Sequence, residues 1–135
     1  MKKFLLYIWQ LPQNILGLLV ILFTKARPYP VVMKNDSCKS IYLTEKYAMG
    51  VSLGKYIIFG RHGLLLRVEV SHERGHQRQS IYLGPLYLIV IGLPSVIGNL
   101  CDRWFHKSWQ VKDRLAWYYN LPWESWADRL GGVTR

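Results

Sequence analysis

The chain has 135 residues, a length that sets one domain with a modest core. Half of the residues are hydrophobic and yet the formal net charge is +10, so apolar blocks stand beside strongly basic ones, the balance of a membrane-associated protein. The charge alone permits nucleic-acid binding, but no recognised nucleic-acid motif accompanies it and no such partner is expected.

Residues 4–24, FLLYIWQLPQNILGLLVILFT, form an uncharged run of 21 residues, about the length of a bilayer-crossing helix. Gln10, Gln13 and Asn14, with Pro12 among them, make it an imperfect one. Lys2 and Lys3 ahead of the run also suit a secretory signal peptide. No small-residue cleavage site follows, however, only Lys25, Arg27, Pro28 and Pro30, so a retained membrane anchor is expected.

Residues 31–68 change to β texture. KSIYLTE, YAMGVSLGKYIIFG and GLLLRVEV contain β-branched and aromatic residues in partial alternation, and the turn signal Gly60-Arg61-His62-Gly63 separates the last two. Two or three short strands ending in a hairpin are expected. A helix over 69–83 should follow.

The second uncharged run, Ile81 to Cys101, again has 21 residues and is punctuated by Gly84-Pro85, Gly92, Pro94 and Gly98. One straight helix is not expected there. Over 84–101 the reading is a re-entrant or core hairpin bent at Gly84-Pro85 and Gly92-Leu93-Pro94, with a buried helix near Leu86 to Ile91 as the alternative. Basic residues flank both apolar runs, so the positive-inside rule gives no clean crossing direction. The expected location is the cytoplasmic membrane, with the functional site toward the cytoplasmic side.

Residues 102–135 read as a helical segment rich in tryptophan. Trp104, Trp109, Trp117, Trp123 and Trp126 fall here beside Arg103, Lys107, Lys112, Arg114 and Arg129. That mixture suits a headgroup interface, and equally tryptophans packed over the helix at 69–83. Cys38 and Cys101 lie in no close metal spacing and read as reduced thiols.

The chemistry concentrates in Ser71-His72-Glu73-Arg74-Gly75-His76. On an α-helix, positions four apart share a face, so His72 and His76 present two imidazoles to one point. Two neutral histidines fill two positions of a tetrahedral zinc, and a catalytic site needs one more protein ligand and an open position. WESWADRLGG offers it: Glu124 and Asp128 are four apart on a short helix, with Pro122 in its first turn and Gly131 past its end. Glu124 is the candidate third ligand. Asp128 is the candidate acceptor for the outer ring nitrogen of one histidine.

His72-Glu73-x-x-His76 followed by Glu124-x-x-Ala127-Asp128 resembles the gluzincin pattern of zinc metallopeptidases. Gly75 matches the form His-Glu-x-Gly-His of their membrane-bound branch, which includes CAAX-prenyl and heat-shock membrane proteases. The resemblance implies a minimal zincin-like α+β domain, a Zn2+ cofactor, a peptide or protein substrate met beside membrane lipid, and Glu73 as general base. This chain is shorter than the membrane-bound relatives, which carry more transmembrane helices. Candidates for stabilising the transition-state oxyanion are His62, His106, Arg114, Tyr118 and Tyr119. The competing reading is a non-catalytic membrane protein with a structural metal site, closed by a fourth ligand from Cys38, Cys101 or His106.

Overall fold

The computed structural model describes residues 2–29, 31–33, 36–38, 41–46, 50–60 and 67–135, with 31–33, 36–38 and 67 described by backbone alone. Within the N-terminal apolar run, α1 (Lys2–Trp9) and α2 (Leu11–Thr24) meet at 78°. Pro12 is the physical reason for the break, since a ring without an N–H belongs in the first turn of a helix. The 14 residues of α2 span about 21 Å, short of the ~30 Å hydrocarbon core. The run is therefore a bent helix pair and not one straight anchor.

The polar residues of that pair face the protein. Gln10, Gln13 and Asn14 are buried. Gln10 and Gln13 both donate to the Ser80 hydroxyl, at 2.8 and 3.0 Å, and Gln13 also donates to the Gly84 carbonyl. Asn14 accepts the Lys55 backbone N–H at 2.9 Å. Four polar contacts thus fasten α2 to the end of the site-bearing helix and to a strand turn.

A four-stranded sheet has the order β1-β4-β6-β5, formed by β1 (Arg27–Pro28), β4 (Ile41–Thr44), β6 (Tyr56–Gly60) and β5 (Gly50–Leu53). A separate antiparallel pair is made by β2 (Val31–Met33) and β3 (Asp36–Cys38). β4 runs parallel to β6, and β5 and β6 form the antiparallel hairpin through Gly54 and Lys55. Every residue of β6 is buried, as expected of a central strand covered on both faces. Ile57 and Phe59 join Ile41 and Val70 in the core, while Tyr56, on the opposite face, meets α2 at Gly17.

The strand expected from GLLLRVEV is not formed over its second half. Residues 61–66, with His62 and most of the turn signal, lie outside the described residues. Arg67 to Val70 are the first turn of α3 (Arg67–Leu83). The buried positions of α3 are 70, 72, 73, 75, 76, 79 and 80, the i, i+3, i+4 pattern of a helix face. Burial of that face overrides the β preference of Val68 and Val70.

Of the two bends expected over 84–101, one is formed and one is not. Gly84, at φ 53°, ends α3 and opens a 3₁₀ turn (Gly84–Leu86), whereas the π turn (Leu88–Gly92) and α4 (Leu93–Phe105) run on as one helix through Gly92-Leu93-Pro94. The π turn immediately before Pro94 accommodates its missing N–H, so the proline perturbs the helix without ending it. Tyr87, Ile91 and Gly98 make the buried stripe. α5 (Val111–Tyr119) and α6 (Pro122–Gly131) complete a mixed α+β fold. The tryptophans of this segment divide: Trp104 is exposed, whereas Trp126 stacks on Tyr82 of α3.

Candidate metal centre

α3 and α6 pack together because two glycines let their backbones touch. A Cβ on Gly75 would collide with the Ala127 carbonyl, and one on Gly131 with the Ser71 carbonyl. Gly131 is thus consumed by the crossing. Gly132 takes the left-handed helix cap instead, at φ 72°.

This crossing brings His72, His76 and Glu124 together, and all three are buried. Glu124 Oε2 lies 3.1 Å from His72 Nε2 and 3.1 Å from His76 Nε2. Tetrahedral ligands bonded at about 2.0–2.1 Å stand about 3.3 Å apart, so both Glu124–histidine separations are already close to the edge of such a site, and all three ligand atoms lie within 4.8 Å of one another. Among the described residues, these three form the candidate ligand group.

Both histidines are oriented from behind. His72 Nδ1–H donates to Asp128 Oδ1 at 2.7 Å, and His76 Nδ1–H donates to Gln79 Oε1 at 2.7 Å. The Gln79 amide donates in turn to the Trp123 carbonyl, which fixes the amide with its oxygen toward the ring. Each imidazole therefore directs Nε2 at the shared centre. Asp128 was legible from its spacing to Glu124. Gln79 was missed, although its position three after His76 places it on the same helix face.

Glu124 is held by its other oxygen, Oε1, which accepts from the Tyr118 hydroxyl at 3.1 Å and from Ser95. Ser95 carried no sequence signal for this role. Burial would raise the Glu124 carboxyl, but its hydrogen bonds with His72 and His76 hold it well below the carboxylate range. Burial also opposes charge on His72. The Glu124 hydrogen bond and the Glu73 charge reverse that effect and raise His72 from 6.5 to about 9, and the same two groups raise His76.

Glu73 differs from every other carboxylate here. Burial pushes its carboxyl up against the opposing charges of His76 and His72. Its Oε2 is buried without a hydrogen-bond partner, and its Oε1 is packed where a Cβ on Gly50 would come within 2.6 Å. An orphaned buried oxygen beside three convergent donors fits a site made for an ion and the water it carries.

Of the oxyanion candidates, Tyr118 and Tyr119 reach the centre: Tyr118 through Glu124, Tyr119 with its ring 5.1 Å from the His72 ring. Arg114 is instead bonded to Asp102, and His106 stacks on Trp109 and contacts Trp117. His62 lies outside the described residues. Neither His106 nor Cys101, a free thiol, joins the candidate ligand group, and the Cys38 side chain is outside the described residues. No protein-family model, curated protein or solved structure matches the chain.

Proposed function

We propose that the chain is a membrane-associated zinc metallopeptidase. The observation that carries the reading is one carboxylate oxygen, Glu124 Oε2, 3.1 Å from each of two imidazole Nε2 atoms, beside a buried carboxylate whose Oε2 has no partner. Two nitrogens and one oxygen, with the fourth position left to water, is a catalytic rather than a structural zinc donor set. Zinc held by His72, His76 and Glu124 supplies a Lewis acid and brings the pKa of its water toward about 7.

The chain's own groups do the rest. Glu73 does not compete for the ligand group; it accepts a proton at its unpartnered oxygen and returns it to the leaving amine. Its upward shift on burial makes it a stronger proton acceptor than an exposed carboxylate. Asp128 and Gln79 keep the imidazoles in one tautomer. Among the described residues β5 is an edge strand with Gly50 against Glu73, and an extended peptide added to that edge would lie beside the base. This favours a peptide or protein substrate.

Membrane association rests on the apolar surface. Leu88–Phe105 is long and apolar enough to cross a bilayer, and little of it is buried. Leu22, Phe23, Ile89, Val96 and Phe105 are exposed, while Lys2, Lys3, Lys25 and Arg27 flank the N-terminal helix pair. Placing the site toward the cytoplasmic side rests on the basic residues beside the apolar helices alone.

The deciding experiment separates ligands from base. Purified protein should contain about one equivalent of zinc and hydrolyse an unstructured protein such as casein or a peptide library. Glu73→Gln should keep the metal and lose hydrolysis by a factor of at least about 10². His72→Ala and His76→Ala should lose the metal. Loss of zinc from Glu73→Gln would overturn the division of roles.

A further inference from the structure

We propose that Arg135 is a positioning residue of the metal centre, acting through Asp128; the inference rests on the metal reading above. The local chain geometry brings it there. Gly132, in the left-handed conformation, donates its N–H to the Arg129 carbonyl, and Val133 donates to the Asp128 carbonyl at 2.9 Å. This glycine-capped ending reverses the chain, and residues 133–135 return toward α3.

Arg135 then makes three contacts at once. Its Nε donates to Asp128 Oδ2 at 2.9 Å, its Nη1 donates to Glu69 Oε1 at 3.1 Å, and its guanidinium lies over the Tyr119 ring at 3.4 Å from the centroid. Tyr119 donates its hydroxyl to Glu69 Oε2 at 3.0 Å and sets its ring edge-on to His72. Asp128 Oδ1 accepts from His72 Nδ1. The contacts close a ring that runs Glu69, Arg135, Asp128, His72, Tyr119 and back to Glu69.

The physical consequence concerns rotation. A carboxylate bonded through one oxygen can turn about its terminal torsion, which is broad and weakly held. Asp128 is bonded through both oxygens, to His72 on one side and to a planar guanidinium on the other. Glu69, one helical turn before His72, anchors that guanidinium to α3 itself. His72 therefore has its outer hydrogen bond aimed by Arg135 and its ring face limited by Tyr119, so the direction of Nε2 is set from two sides. Removing such an outer partner of a metal ligand typically costs 10- to 100-fold in metal affinity.

The test uses the full-length protein in detergent, with zinc affinity measured by competition against a chromophoric chelator and geometry read from the visible spectrum of the Co2+ form. Arg135→Ala, one contact further out than Asp128, is expected to weaken zinc binding about 10-fold, the lower end of that range, and to alter the Co2+ bands, while the unfolding midpoint of the metal-free protein stays near that of the parent. Arg135→Lys, which keeps a cation for Asp128 but loses the planar stack, should recover part of the affinity. Unchanged affinity and an unchanged Co2+ spectrum in Arg135→Ala would overturn the proposal. So would an affinity loss matched by lowered metal-free stability with no recovery in Arg135→Lys, since that is a structural tether. A parent protein that binds no zinc fails at the first arm and removes the metal reading itself.

Discussion

At the scale of single residues, the site is an arrangement of protons awaiting replacement. Glu124 Oε2 faces two Nε2 atoms and raises His72 to about 9, which at pH 7.5 favours a proton on the nitrogen that would bind metal. Ligation requires that nitrogen to be neutral. Zinc binding at pH 7.5 should therefore release at least about one proton per ion. Calorimetric titrations in two buffers of different ionisation enthalpy check it: equal apparent enthalpies would contradict the assignment. The same shift gives the sign of the metal-free stability. A histidine raised from 6.5 to about 9 stabilises the fold fully below pH 6.5 and progressively less as pH rises through 9. Metal-free protein should accordingly unfold more easily at pH 9.5 than at pH 6.

At the scale of elements, the contact between α3 and α6 decides whether a site exists. Gly75 has no room for a methyl group against the Ala127 carbonyl, and the three nearest atoms are all Ala127 backbone, which cannot yield by a rotamer change. Gly75→Ala should cost roughly 1–3 kcal/mol of stability and separate Glu124 from the histidines, weakening zinc binding as well. Gly92→Ala is the matched control, because a Cβ there meets only ordinary contacts at 3.7 and 3.9 Å. It should be neutral or stabilise by up to ~1 kcal/mol through helix propensity. Chemical denaturation of the two variants, with zinc titration alongside, measures both effects; equal stability in the pair would mean that the helices are not held at van der Waals distance. A second such contact is made by Gln10 and Gln13 on Ser80, at the C-terminal end of α3, while Asn14 holds the turn between β5 and β6.

At the scale of the whole molecule, apolar side chains cover the outside of α1, α2 and α4 while the polar contacts turn inward. Burying that surface in lipid is non-electrostatic, and salt at about 1 M screens charges beyond roughly 3 Å without weakening it. The protein should stay with the membrane fraction through a high-salt wash and leave it in detergent. Release by salt alone, followed on immunoblots of the two fractions, would reduce the association to adsorption of the basic flanks.

What the amino-acid order determined by itself was everything carried by short spacings. His72 and His76 four apart, Glu124 and Asp128 four apart and Pro122 at a helix start depend on the 3.6 residue period and on single-residue backbone preferences, which act within a few positions, whereas the hairpin turn expected at Gly60 to Gly63 gave way to one at Gly54 and Lys55. The tertiary structure decided the rest. Glu124 meets His72 across 52 positions and Arg135 meets Glu69 across 66, and no local rule reaches that far. Gln79 became a partner of His76 only because the Trp123 carbonyl holds its amide in one orientation. Val68 and Val70 entered a helix because α3 had a face to bury, and the Gly92-Leu93-Pro94 stretch stayed helical because a π turn took up the missing N–H. Local preference is worth about 1 kcal/mol or less for each valine and about 3 kcal/mol for the proline. Burying a helix face or filling a partnerless hydrogen bond is worth more, so the long-range contact wins.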